Sequence, residues 1–97
     1  MRRAARVDDN QVEIVKALRD AGASVQPLHS VGQGCPDLLV GYAGVNLLME
    51  VKDGAKVPSK RRLTNDQVMW HASWVGQACV VKNVEEALEQ VTIKEGE

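Results

Sequence analysis

Asp37, Glu50 and Lys52 are the residues whose types and spacing suit work on a phosphate ester. Two apolar runs, residues 37–42 and 45–52, flank a glycine, which is the pattern of a β-hairpin. If Tyr42 pairs with Val45 across the turn, Leu38, Leu39 and Val40 oppose Met49, Leu48 and Leu47, and Asp37 faces Glu50. Like charges directly across a strand pair repel, so something must compensate. Strand alternation puts Glu50 and Lys52 on one face and turns Val51 to the other, with its carbonyl at the strand edge. Two carboxylates and a nearby carbonyl make a hard-oxygen site suited to Mg²⁺ or Mn²⁺, and a cation there removes the repulsion. The chemistry that follows is in-line attack of water on a phosphodiester. The cation lowers the pKa of water and neutralises developing charge, while a lysine orients the nucleophile or stabilises the transition state. In these roles Asp37, Glu50 and the Val51 carbonyl are ligands, and Lys52 is the electrostatic or proton-transfer partner. The alternative is structural, with Asp37 capping the loop after Pro36 and Glu50 and Lys52 forming a strand-end ion pair. Hairpin register and apolar surroundings favour the catalytic reading.

The elements that must position these residues can be read on either side of them. Both hairpin faces are apolar, which predicts inner strands with helices on each side. Val12, Val15, Leu18 and Ala21 follow helical spacing, predicting a first helix over about 9–21, stopped at Gly22. Ser24-Val25-Gln26 reads as an edge strand, followed by a glycine-bearing loop over 29–36. Thr64-Asn65-Asp66-Gln67 is a capping-box pattern, so a second helix is expected over about 65–75. A strand over 77–82 follows, parallel to the second hairpin arm because strand-helix-strand units are right-handed. Asn83 with Glu86 caps a last helix over about 84–91, before a polar tail at 92–97. The expectation is one α/β domain with a mixed central sheet, an antiparallel hairpin plus a parallel strand, flanked by helices on both faces.

The wider pattern includes Gly32-Gln33-Gly34-Cys35-Pro36-Asp37-Leu38-Leu39, Glu50-Val51-Lys52, Leu63-Thr64-Asn65-Asp66-Gln67, and Gly76 before Val80-Val81. It resembles the virus-type replication-repair nuclease (VRR-NUC) domain of the PD-(D/E)XK superfamily, from the first helix to the last strand. The resemblance implies a restriction-endonuclease-like core, a divalent metal, and structure-selective cutting of branched DNA such as flaps or four-way junctions. It is similar to Holliday junction resolvases in this respect. The resemblance carries over Asp37 and Glu50 as metal ligands, Lys52 as the catalytic lysine and Gln67 as the helix-2 glutamine near the site. Gln67 is open to a second reading, as no more than part of the capping box. Related resolvases present a glutamate from the first helix, to which Glu13 corresponds; its other reading is a solvated helix residue. A serine can sit in the loop before the aspartate, and Ser30 holds that place.

A formal charge of −1 conceals two basic clusters, Arg2, Arg3 and Arg6, and the stretch from Lys52 to Arg62 that carries Lys56, Lys60, Arg61 and Arg62. Near the acidic pair these would contact the phosphates of branched or duplex DNA, with salt-sensitive binding and little sequence preference. The 97-residue chain leaves little room for base-reading loops, which disfavours a restriction-type endonuclease. A non-catalytic DNA-binding or assembly module remains the other class of reading, but only a nuclease requires Asp37, Glu50 and Lys52 together. With 3% aromatic residues and no Phe the core is thin, and a homodimer is expected to supplement it. No apolar run reaches the length of a membrane span and the first residues lack a secretory signal. An intracellular setting is therefore expected, in the cytoplasm or nucleoid of a bacterial or virus-infected cell, with Cys35 and Cys79 reduced. His29, Cys35, His71 and Cys79 lack zinc-ligand spacing. Trp70 and Trp74 share one face of the second helix with His71 beside them, and core or dimer packing is their expected role.

Overall fold

The hairpin turn is set by local chemistry. Ala43 and Gly44 both occupy the left-handed region, with φ of 52° and 81°. Two such residues in succession make the type I′ turn, whose twist matches that of its strands. From this turn the computed structural model, which describes residues 9–96 and only the backbone of 93–96, zips the hairpin in the expected register. Strands β2 (Leu38–Tyr42) and β3 (Val45–Val51) pair Tyr42 with Val45 and Leu38 with Met49.

Strand β1 (Ser24–Pro27) joins β2 antiparallel, and β4 (Ala78–Val81) joins β3 parallel, giving the sheet order β1-β2-β3-β4. The hairpin arms are thus inner strands. Helices α1 (Gln11–Asp20) and α3 (Val84–Gly96) pack together on one sheet face. Ile14 and Leu18 of α1 and Ala87 and Val91 of α3 meet Leu38, Val40, Leu47, Met49, Val51 and Val81 in the core. Period-two alternation therefore sends Leu39, Leu48, Glu50, Lys52 and Val80 to the opposite face.

That opposite face also carries a helix, as expected, though it covers the sheet only in part. Helix α2 (Asn65–Ser73) crosses it but has no buried residue, leaving Leu39 and Val80 about two-fifths exposed. The helix also ends earlier than 75, because Trp74 has extended backbone (φ −76°, ψ 125°). Its side chain still stacks on Trp70, with centroids 4.7 Å apart, so the pair packs on itself and not in the core. The polar tail assigned to 92–97 is helical as far as Gly96. Thr92, Lys94 and Glu95 interrupt the apolar pattern but not the helix, since no proline follows Asn83 to stop it. Asn83 caps α3, its Oδ1 accepting from Glu86 N, while Glu86 Oε1 accepts from Lys82 N just ahead of the cap, both at 2.8 Å. Arg2, Arg3 and Arg6 lie outside the described residues.

Candidate active site

The sheet register, continued one residue past Leu38 and Met49, sets Asp37 beside Glu50 on the face that α2 crosses. Asp37 is held in place twice. Its carbonyl accepts from Leu28 N at 2.7 Å, extending the β1-β2 ladder, and its Oδ2 accepts from Val51 N at 2.7 Å. Glu50 is 1% exposed, an unusual setting for a carboxylate. Lys52, two residues along the same face, brings its Nζ to 3.9 Å from Glu50 Oε2, with its side chain 13% exposed. At this depth the attraction is screened far less than on the surface, so the ammonium is held at Glu50.

Helix α2 contributes Gln67, and the two readings of that residue prove compatible. Thr64 N donates to Gln67 Oε1 at 2.9 Å and Gln67 N donates to Thr64 Oγ1 at 3.2 Å, completing the capping box. With its oxygen engaged by an N–H, the amide has only its nitrogen to offer elsewhere. Gln67 Nε2 donates to Glu50 Oε2 at 3.0 Å. One side chain thus starts the helix and orients the buried carboxylate. Gln67→Glu keeps an oxygen for the cap but sets a carboxylate against Glu50. It is expected to cut any activity at this site by about 10-fold or more, the usual scale for losing a group that orients a ligand. Activity near the parent level in Gln67→Glu would show that the Glu50 contact is dispensable.

The placement of α2 rests on a glycine whose role sequence reasoning missed. Gly34 has φ of 81°, and a Cβ built on it would lie 2.3 Å from the Asp66 carbonyl oxygen and 3.0 Å from Gln67 N. The loop backbone therefore lies directly against the first turn of α2, at the level of Gln67. Gly32 and Gln33 also have positive φ, and together the three residues turn the chain into Cys35-Pro36-Asp37. Asn10 was missed as well. Its Nδ2 donates to the carbonyls of Lys52 (3.2 Å) and Lys82 (3.0 Å), tying the ends of β3 and β4 to the start of α1. The isolated Gly-x-Gly before Pro-Asp was a signal for the first, but nothing local marked the second.

His71 was read from sequence as a packing neighbour of the tryptophans, yet its Nε2 lies 4.0 Å from Glu50 Oε1. Its spacing of four from Gln67 was the available signal. Burial holds its imidazole below the usual range. Burial, reinforced by the charges of Glu50 and Asp37, pushes the Cys35 thiol up, so it stays protonated near neutral pH. Neither Cys35 nor Cys79 is in a disulfide.

Other sequence candidates stand apart. Glu13 is exposed on α1, whose buried residues Ile14 and Leu18 pack on the face opposite Glu50. Ser30 is exposed in the loop before Asp37. In the basic loop, Arg61 donates to the Gly54 carbonyl at 3.2 Å and braces the chain, and Lys56 pairs with Asp9 at 3.7 Å. Lys60 and Arg62 are exposed, Lys60 ending the short 3₁₀ turn Pro58–Lys60.

Among the described residues no three His, Cys, Asp or Glu side chains converge as a ready metal cluster. Asp37 and Glu50 supply two carboxylates, which is what Mg²⁺ commonly takes from protein while water and substrate phosphate fill the remaining positions. The donor set therefore fits a hard divalent cation. Concavities of about 520 Å³ along α1 near Pro27 and His29, about 310 Å³ beside Ser24 and the hairpin turn, and about 250 Å³ between the hairpin turn and α3 are not lined by Asp37, Glu50 or Lys52. Among the described residues, no helix is long and apolar enough to cross a membrane. The chain matches no known protein family, curated protein or solved structure. The acidic pair and its neighbours therefore carry the functional argument.

Proposed function

We propose that this protein is a divalent-metal-dependent endonuclease that hydrolyses phosphodiester bonds in branched DNA, a four-way junction or a flap. The observation that carries the reading is the buried Glu50 beside Asp37, with Lys52 Nζ 3.9 Å from it at one end of the sheet. The resemblance of the same motif residues to the VRR-NUC domain supports it and suggests the branched substrate. Asp37 and Glu50 would hold Mg²⁺ or Mn²⁺, with the Val51 carbonyl as a further oxygen. The bound cation would supply a more acidic water and charge neutralisation on the phosphate. Lys52 would bind the non-bridging oxygens and stabilise the added negative charge of the transition state. Gln67 keeps the Glu50 carboxylate in one orientation, so that little reorganisation is needed when substrate arrives.

Labelled four-way junction, flap and linear duplex DNA, incubated with Mg²⁺ or Mn²⁺, test the reading alongside Asp37→Ala and Lys52→Ala. Metal-dependent cutting of branched DNA, lost in both variants, supports it. Salt-sensitive binding without cutting would instead favour a non-catalytic DNA-binding or assembly module on the same fold.

The exposed Lys60 and Arg62 would contact phosphates beside the site. Replacing both with Ala is expected to weaken binding to every DNA shape alike, and to lower the slope of log affinity against log salt by about one for each phosphate no longer neutralised. An unchanged slope in a filter-binding titration would remove them from the interface.

A homodimer completes the proposal. Its support is the exposed apolar surface of Leu39, Val80, Trp74 and the fully exposed Val75. Light scattering is expected to give the mass of a pair for the parent chain and of a single chain for Val75→Lys with Val80→Lys. A single-chain mass for the parent would dismiss the dimer.

A further inference from the structure

His71 has a place at the acidic pair that its packing neighbours do not explain. Its ring meets Trp70 edge-on, with centroids 5.1 Å apart and planes at 74°, which fixes the plane of the imidazole. Its Nε2 lies 4.0 Å from Glu50 Oε1, the carboxylate that Gln67 also reaches from α2. The nitrogen is out of contact with solvent and has no hydrogen-bond partner among the described residues. A buried ring nitrogen is rarely left so, because the lost hydrogen bond to water costs about 1–3 kcal/mol.

A separation of 4.0 Å is too long for a direct hydrogen bond. It is the separation of two groups that share one water, since arms of about 2.8 Å then enclose an angle of roughly 90° at the water oxygen.

We propose that His71 is a positioning residue of the active site, its Nε2 and Glu50 Oε1 holding between them one water molecule of the kind the reaction consumes. This rests on the reading of Asp37 and Glu50 as a cation site and adds a second face to it. Gln67 fixes one oxygen of Glu50 directly, and His71 fixes the other through water. Both contacts come from successive turns of α2, so docking of that helix orients the whole carboxylate.

The test uses the intact ¹⁵N-labelled chain, which has only two histidines, with the exposed His29 as internal control. Imidazole ¹⁵N resonances are followed as Mg²⁺ is added, together with the amide of Val51, which donates to Asp37 Oδ2. The expected result is that His71 Nε2 and the Val51 amide move together while His29 stays still. Movement of Val51 without His71 would overturn the inference and leave the cation site standing. No movement of either would overturn both. A second measurement is steady-state cleavage by His71→Phe, which keeps packing volume, and His71→Gln, whose amide reaches toward the Nε2 position. Phe is expected to lower kcat about 10- to 100-fold at unchanged KM for DNA, the scale on which groups behind a metal ligand act, with Gln recovering part of the loss. Parent-level kcat in a folded His71→Phe, checked by circular dichroism, would reduce His71 to packing.

Discussion

Glu50→Gln and Lys52→Met are each expected to lower the proposed cleavage by at least about 10²- to 10³-fold, while the double variant is expected to fold as stably as the parent or more so. The activity loss follows from removing a carboxylate that would hold the cation, or the ammonium that would meet developing charge, where single electrostatic groups contribute on that scale. The stability pattern follows from burial. Glu50 is 1% exposed and the Lys52 side chain 13%, so both charges have left most of their water. Losing either partner strands the other in a poorly solvated place and is expected to destabilise the chain. Losing both ends the desolvation of two ions, with Met apolar and the Gln amide oxygen still able to accept from Gln67 Nε2. A double-mutant cycle by denaturant unfolding in EDTA should give a coupling of about 1–3 kcal/mol. Additive effects would show that the pair at 3.9 Å does not interact. Added Mg²⁺ should raise the parent's unfolding free energy by about 2.7 kcal/mol at a hundred times its Kd and leave Glu50→Gln unmoved.

Gly34→Ala is expected to lower stability by about 2–4 kcal/mol and to reduce activity at least as severely as Gln67→Glu. Its neighbour provides the control. Gly32 has φ of 83° with nothing within 4 Å of an added Cβ, whereas Gly34 has φ of 81° with the Asp66 carbonyl oxygen at 2.3 Å. Gly32→Ala thus incurs only the left-handed backbone penalty of about 1–2 kcal/mol. Gly34→Ala incurs the same penalty and must also push α2 away, with Gln67 and His71 on it. Thermal unfolding of both variants, read against cleavage, separates the two effects. Equal losses in the two would mean that α2 does not depend on close approach of the loop.

The hairpin register was legible because everything that decides it is local. Ala43-Gly44 accept the left-handed turn, alternation assigns faces, and counting outward brings Asp37 to Glu50. The capping box of α2 and the Asn83 cap of α3 were legible for the same reason, since donor and acceptor lie within one turn. Helix ends were less so. The last helix runs on to Gly96 because polar residues that break an apolar stripe do not break a helix.

By itself, then, the sequence determined the strands, their pairing and the juxtaposition of the two carboxylates, all of which follow from dihedral preference and period. Only the tertiary structure decided that one side chain, Gln67, both caps α2 and holds Glu50, that His71 turns inward, and that Asn10 ties Lys52 to the end of β4. It also decided that α1 and α3 share one face and leave the other half open. The physical reason is that these outcomes depend on how closely separate segments approach. That distance is set where the Gly34 backbone meets the Asp66 carbonyl, an approach between residues far apart in the chain that no local preference encodes.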